Sequence, residues 1–340
     1  MDARLRLEPK RMLRRAARAA AASPLGWGLR CHLVRTGVIV LTYHRIGTTD
    51  DGLAGLDESL FRAHMEWIRA NCTLIAPDEL RARAAGPSGR RPPALVTFDD
   101  GYRDYRERAY PILRELGIPA LVFLTTAFID EPDRLFWWES LTLALRRTHA
   151  HAVELPWERG VTRALTSPQD RVRLLRDAKA HLKSVSETEK REAHQDLLRR
   201  LDVVATDLRG PRRMLTWDDV RATRDLTVYG GHSHSHALLS RVDEDGLEAE
   251  VRGCRDRLTA EIGDPPRYFA YPNGEPSDFT DAVKESLCRH GFDTAFTTIE
   301  GVVRADVDWM AVPRFPGHGD VGCLVWGIVG LTRRWSSRRA

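Results

Sequence analysis

The sequence predicts an α/β protein, a TIM-like (β/α)7 barrel with a helical insertion between its third and fourth strands. Three observations predict it. Seven short runs rich in β-branched and aromatic residues alternate with stretches of helical period, the pattern of a parallel sheet covered by helices. Polar residues recur just after the strands, at Asp99-Asp100, His232 and Pro272-Asn273, where barrels of this kind build their sites. Between residues 131 and 213 the short apolar runs stop and helical patterns remain. A chain of 340 residues can bury a large core around such a sheet.

The elements follow in order. Val38–His44 is a β-branched run and reads as a buried strand. Glu58–Ala70 carries Leu60, Phe61, Met65 and Ile68 at helical spacing. Ala94–Phe98 is the second strand and breaks off in Asp99-Asp100-Gly101. An Asp-Gly pair also suits a hairpin turn, but Arg103–Leu116 behind it has helical spacing and closes on Gly117, with Pro119 just beyond. Ala120–Thr125 is the third strand. Within the insertion, helices are expected over Trp137–Arg147, Pro168–Lys183 and Glu187–Leu201. Ser167 and Ser186 start the last two, with Asp170 and Glu189 three residues on as capping-box partners. The later strands are Leu226–Tyr229, Tyr268–Tyr271, Thr294–Thr297 and Met310–Arg314, separated by helices over Leu247–Ile262 and Ser277–His290. The chain therefore divides into a basic segment 1–37, a barrel over 38–130 and 214–316, the insertion 131–213, and a basic, partly apolar segment 317–340.

The net charge of +4 conceals an uneven distribution. Residues 1–36 carry +7 and residues 321–340 carry +4, which leaves −7 on the body between them. So small a total does not point to nucleic acid. Only five of the 52 basic residues are lysines: Lys10, Lys179, Lys183, Lys190 and Lys284. The five cysteines are widely spaced with no C-x-x-C, which favours free thiols in a reducing compartment. Arg4, Arg6, Lys10, Arg11, Arg14, Arg15 and Arg18 interrupt every candidate signal-peptide run. The longest apolar stretch, Val321–Leu331, falls short of the roughly 18–20 residues that span a bilayer. The expectation is a cytoplasmic protein with peripheral contact to the anionic inner face of the membrane through its basic ends. The plainer reading of those ends is a solvated N-terminal helix and a C-terminal helix docked on the barrel.

Two motifs carry chemistry. Gly230-Gly-His232-Ser-His234-Ser-His236 places two imidazoles four residues apart, facing one way if the stretch turns like a helix. Two imidazoles and a carboxylate form a ligand set for catalytic zinc or a similar divalent ion. Thr97-Phe98-Asp99-Asp100-Gly101-Tyr102 supplies two adjacent carboxylates, which stay ionised together only beside a cation or hydrogen-bond donors. One of them can hold a metal while its neighbour accepts a proton.

Thr-Phe-Asp-Asp-Gly at 97–101, followed far downstream by Gly-x-His-Ser-x-x-His, resembles the polysaccharide deacetylase family with the NodB homology domain, carbohydrate esterase family 4. Tyr43-His44, Leu215-Thr-Trp217-Asp-Asp219-Val, Phe269-Ala-Tyr-Pro-Asn-Gly274, Phe296-Thr-Thr-x-x-Gly301 and Val312-Pro-Arg314 extend the likeness. The resemblance implies a distorted (β/α) barrel. It implies Asp100, His232 and His236 as ligands of a divalent ion, Zn2+ first, with Co2+, Ni2+ or Fe2+ as alternatives. It further implies Asp99 as general base and the backbone N–H near Asn273 as an oxyanion donor.

This chain departs from the family pattern in two places. Ala270 stands where many members have the arginine that orients the base, so Arg314 or Arg267 is the candidate substitute. The histidine that usually acts as general acid has no clear counterpart; His318 and His44 are the candidates. Tyr102, Tyr271 and Trp137 are the candidate substrate contacts, although Trp137 and Trp138 would equally serve to pack the insertion onto the barrel. The resulting expectation is a hydrolase that removes N-acetyl groups from an amino sugar in a polysaccharide or a lipid-linked glycan precursor. The alternatives are a deformylase or other non-peptide C–N hydrolase of the same fold, and an inactive glycan-binding module.

Overall fold

The computed structural model describes residues 16–330 apart from 49–52, 54, 87–88, 132–133, 205–207 and 209–212. The basic residues at 4–15 and 333–339 lie outside the described residues. Ten strands and thirteen helices appear among those described. The strands are β1 (Ile39–Tyr43), β2 (Thr73–Leu74), β3 (Pro93–Phe98), β4 (Ala120–Leu124), β5 (Ala152–Glu154), β6 (Thr162–Ala164), β7 (Thr227–Gly231), β8 (Tyr268–Ala270), β9 (Thr294–Phe296) and β10 (Phe315–Pro316). The helices begin with α1 (described over 16–22), α2 (Pro24–Arg30), α3 (Glu58–Asn71), α4 (Leu80–Ala85), α5 (Tyr110–Leu116) and α6 (Thr126–Asp130). The insertion contributes α7 (Trp137–Arg147), α8 (Pro168–Ser184) and α9 (Glu187–Arg200). The series closes with α10 (Trp217–Ala222), α11 (Glu244–Ile262), α12 (Asp281–Arg289) and α13 (Val321–Gly330).

One curled parallel sheet runs β10-β1-β3-β4-β7-β8-β9, with β2 beside β3. Strands β1, β3 and β4 are buried along their whole length. Their side chains divide between one core beneath α3, α5 and α13 and another inside the curl. Register sets the level at which the strands end. Tyr43 pairs with Phe98 and Leu124 with Gly231, so His44, Asp99, Thr125 and His232 all leave the sheet at its carboxyl edge.

Gly230 and Gly231 extend the fourth expected strand to the site because nothing larger fits there. A Cβ on Gly230 would lie 2.5 Å from the Tyr268 carbonyl oxygen, and one on Gly231 2.9 Å from the Cys254 sulfur. The barrel closes imperfectly. Between β9 and the segment leading into β10, the described residues make a single parallel bridge, from Phe296 to Val312.

Three expectations are corrected. Met310–Arg314 is not a strand: Val312 makes only an isolated bridge to Phe296, and the chain joins the sheet directly after Arg314, at Phe315–Pro316 on β1. The insertion is not wholly helical, since β5 and β6 form an antiparallel hairpin between α7 and α8. Strand β2 and helix α4 arise in a stretch too short to show a period. The insertion has its own apolar core, with Leu141, Leu145, Leu174, Leu182, Leu197 and Leu201 buried together. Helix α13 docks through Leu324, Val325, Ile328 and Val329 and leaves Trp326 40% exposed. Among the described residues no helix is long and apolar enough to cross a membrane.

Gly230→Ala is expected to destabilise the protein by about 1–3 kcal/mol through overpacking against β8. Gly28→Ala in α2, where a Cβ meets nothing within 4 Å, should be neutral or stabilise by roughly 0.5–1 kcal/mol. Urea midpoints of the two variants check the contrast.

Candidate active site

The loop after β3 carries Asp99 and Asp100, both buried. Asp99 N–H donates to the Tyr43 carbonyl at 2.9 Å, which continues the β1 pairing by one residue. The chain then turns: Asp100 has φ +75° and Gly101 φ +85°. This left-handed step separates the two carboxylates.

Asp99 is gripped by Arg314, which is itself completely buried. The two terminal guanidinium nitrogens donate to the two carboxylate oxygens, each at 2.7 Å. Arg314 also donates to Thr97 Oγ1 at 3.1 Å and to the Thr297 carbonyl at 2.9 Å. Burial alone would raise the Asp99 pKa, but the guanidinium outweighs it and holds the carboxyl below its usual range. The structure thus brings Arg314 to Asp99; Arg267 instead pairs with Asp293 on the surface.

Asp100 faces His232 and His236. The expected helical turn is absent, since residues 232–238 are irregular. Left-handed φ values at Ser233 (+57°) and His236 (+61°) bring the second imidazole back toward the first. Asp100 Oδ1 is buried without a hydrogen-bond partner, although the two Nε2 atoms stand 3.4 and 3.3 Å away. His232 Nδ1 lies 2.7 Å from the Ala270 carbonyl, which requires the N–H there and leaves the Nε2 lone pair aimed at Asp100.

One ligand atom from each of the three residues lies within 4.8 Å of the others. The convergence of these atoms on an Asp100 oxygen without a hydrogen-bond partner suits a cation between them. Burial disfavours charge on His232, yet Asp100 and Asp99 outweigh it and raise its pKa. On His236 burial prevails and lowers the pKa. The donor set of two imidazoles and a carboxylate fits a divalent transition ion. Trp138 packs edge-on against His236 with ring centroids 4.8 Å apart, and stacks on Phe136 at 4.4 Å.

A buried polar network holds the insertion against this loop. Arg45 donates to Glu139 of α7 at 2.9 Å and to Asp104 at 3.4 Å, and Tyr102 O–H donates to the same Glu139 oxygen at 3.0 Å. Burial pushes the Asp104 pKa up to about 6, against the pull of the Ile46 N–H and Arg45. Sequence reasoning missed Arg45, Asp104 and Glu139. The available signal was an acid, Glu139, within the otherwise apolar start of a helix.

The other candidates line one cleft of about 550 Å³. His44 Nε2 is 3.8 Å from Asp99 Oδ2. His318 is exposed, with Nδ1 3.2 Å from the Pro316 carbonyl. Asn273 has φ +64°, and its side chain is held by Asp278 and Lys183. Trp137 is half-buried and offers its indole to the cleft. The hydroxyls of Tyr102 and Tyr271 are engaged by Glu139 and the Met310 carbonyl, and both side chains are buried in the cleft wall.

A curled parallel sheet with carboxylates and imidazoles gathered at its carboxyl edge has the form of a hydrolase. The family model for polysaccharide deacetylase matches residues 87–295, more than half of the chain, and the chain belongs to that family. The YxkH protein of Bacillus subtilis (strain 168), whose name places it provisionally in the same family, is 33% identical over 100 residues. That match covers 28% of this chain and about a third (34%) of the relative's length. The Streptococcus pyogenes deacetylase PplD, solved in complex with acetate, aligns with a TM-score of 0.57 at 15% identity over 86% of this chain and 98% of that one. IcaB from Ammonifex degensii aligns with a TM-score of 0.53 at 19% identity, over 86% and 97% of the two chains. At these identities the two structures show a shared fold.

Two outcomes are expected at the site. Asp100→Asn and His236→Ala should each lower zinc affinity by more than the roughly 10–100-fold that loss of a supporting hydrogen bond costs, while Asp99→Asn retains the ion. Chelator competition measures this. Arg314→Met should destabilise by about 3–5 kcal/mol by stranding a buried charge, and adding Asp99→Asn should recover part of that loss. The folded Asp99 pKa lies below its unfolded value, so the pair's contribution is present at neutral pH. It should disappear only as acid takes the pH down through the folded value. Urea melts across pH check both statements.

Proposed function

We propose that the protein is a metal-dependent N-deacetylase acting on an amino sugar of a polysaccharide or a lipid-linked glycan precursor. The observation that carries this reading is a carboxylate locked by arginine, Asp99, adjoining the Asp100-His232-His236 ligand set in one cleft. Asp100, His232 and His236 would hold a divalent ion, which would supply Lewis acidity to a water and to the acyl carbonyl.

The chain's own groups do the rest. Asp99 accepts the proton of the attacking water. Arg314 occupies one side of each carboxylate oxygen and fixes its plane, leaving the other lone pairs for the water. The Asn273 N–H, presented by the left-handed turn, donates to the oxyanion. The C–N bond breaks to give acetate and an amine, and the amine needs a proton. We assign that step to His318. His44 stands beside Asp99, on the base's own side, whereas His318 lines the same cleft from just past β10, with Nδ1 held by the Pro316 carbonyl.

The lipid-linked alternative draws support from the surface. Leu25 and Leu29 of α2 are 75% and 66% exposed, near Arg30, whose guanidinium covers exposed Trp326. Such an apolar and basic patch suits the interface of an anionic membrane, and with it a location at the inner face.

Acetate release from N-acetylated glucosamine oligomers, with Zn2+, Co2+ or Ni2+ supplied, tests the activity. Asp99→Asn is expected to lower kcat by about 10²–10⁴-fold with its metal intact. A metal-loaded protein that releases neither acetate nor formate from any acylated amino sugar would favour the binding module, and formate alone the deformylase. His318→Gln should remove the alkaline limb of the kcat profile and His44→Gln should leave it; the reverse would exchange their roles.

A further inference from the structure

Lysine is rare in this chain, and its placement is uneven. Of the five lysines, Lys10 lies outside the described residues and Lys284 pairs with Asp308 at 2.7 Å. The other three, Lys179, Lys183 and Lys190, all come from the insertion and all line the cleft that holds Asp99, Asp100, His232 and His236. Lys190 is compensated: it pairs with Glu187, whose carboxylate also accepts the Leu238 N–H.

Lys179 and Lys183 are not compensated. Among the described residues neither has a carboxylate within ion-pair distance, and Lys183 donates to the neutral Asn273 amide oxygen. They stand four apart on α8 and so share a face, an arrangement that repels. Lys179 is half-buried, and burial together with Lys183 lowers its pKa. The C-terminal end of α8 favours a cation at Lys183, but gives no reason to aim two of them into a cleft.

The other charged groups of the cleft have direct partners. Arg45 is shared by Asp104 and Glu139, Asp99 is paired with Arg314, and Asp100 faces the two imidazoles. Glu139 acts on Lys179 only from a distance and is already bound by Arg45 and Tyr102, so among the described residues the two ammonium groups on the insertion's wall have no carboxylate in contact. A chain that otherwise uses arginine here presents the compact ammonium, which serves phosphate and carboxylate as a mobile point charge.

Resting on the deacetylase reading for the glycan itself, we propose that Lys179 and Lys183 form a subsite for an acidic group of the substrate, a phosphate or a carboxylate, alongside the reacting acetamide. The substrate is then an anionic glycan, such as a sugar phosphate or a uronate-bearing chain, and the insertion is what selects it.

Calorimetric titration of the metal-loaded full chain tests this, with inorganic pyrophosphate, N-acetylglucosamine 1-phosphate and glucuronate as probes. At least one probe should bind the wild type about tenfold or more tightly than Lys179→Gln/Lys183→Gln, with affinity falling as salt rises. An anion held only by the metal would bind both proteins alike, and equal binding of all three probes overturns the subsite. The phosphate and carboxylate arms identify the group. Gln is a good helix former, circular dichroism verifies the fold, and Lys179→Arg, which keeps the charge, should keep the binding. In turnover, the kcat/KM ratio of an anionic over a neutral acetamido sugar should fall about tenfold or more in the double variant. Lysine-dependent anion binding without acyl release from any substrate would keep the subsite and overturn the deacetylase reading. Acyl release indifferent to substrate charge and to both lysines would do the reverse.

Discussion

The buried ion pair between Asp99 and Arg314 is the interaction on which the site depends. It joins the end of β3 to the segment before β10, and its arginine also reaches the Thr297 carbonyl just past β9. The barrel's incomplete seam is therefore bridged by the same side chain that fixes the Asp99 carboxylate. An isolated charge in so buried a place would cost several kcal/mol, whereas two well-aligned bonds and the further bonds that Arg314 donates to Thr97 and Thr297 make the pair tolerable. Fold closure and carboxylate orientation are one constraint.

Backbone geometry supplies the second constraint. Among the described residues five non-glycine positions have left-handed φ, and four of them, Asp100, Ser233, His236 and Asn273, belong to the site. Each costs on the order of 1–3 kcal/mol and persists only where the surroundings enforce it. Here the left-handed steps turn Asp100 away from Asp99, fold His236 back onto His232, and set the Tyr-Pro-Asn-Gly turn at the cleft.

Most of the barrel and the core of the site were legible in the sequence. The strands have strong β-branched signals, and Asp99-Asp100 and His232/His236 are polar clusters just where apolar runs end. Asp100, His232 and His236 gather as the sequence led one to expect, but not through a helical turn: two strained residues bring them together. Arg314 was a guess among arginines, because the contact that selects it joins positions 215 residues apart. The polar network of Arg45, Asp104 and Glu139 was invisible for the same reason. The strand expected at 310–314 failed because Val312 and Arg314 are buried for different purposes, one to bridge the seam and one to reach the base. The lysines were counted in the sequence, but only the packing of α8 and α9 shows that three of them face one cleft.

A crystal structure of the zinc-loaded protein with anomalous data at the zinc edge would locate the ion. It is expected to be bound by Asp100 and by Nε2 of His232 and His236, with Asp99 outside its coordination and still paired with Arg314. An ion ligated by Asp99, or one bound away from these three residues, would contradict this.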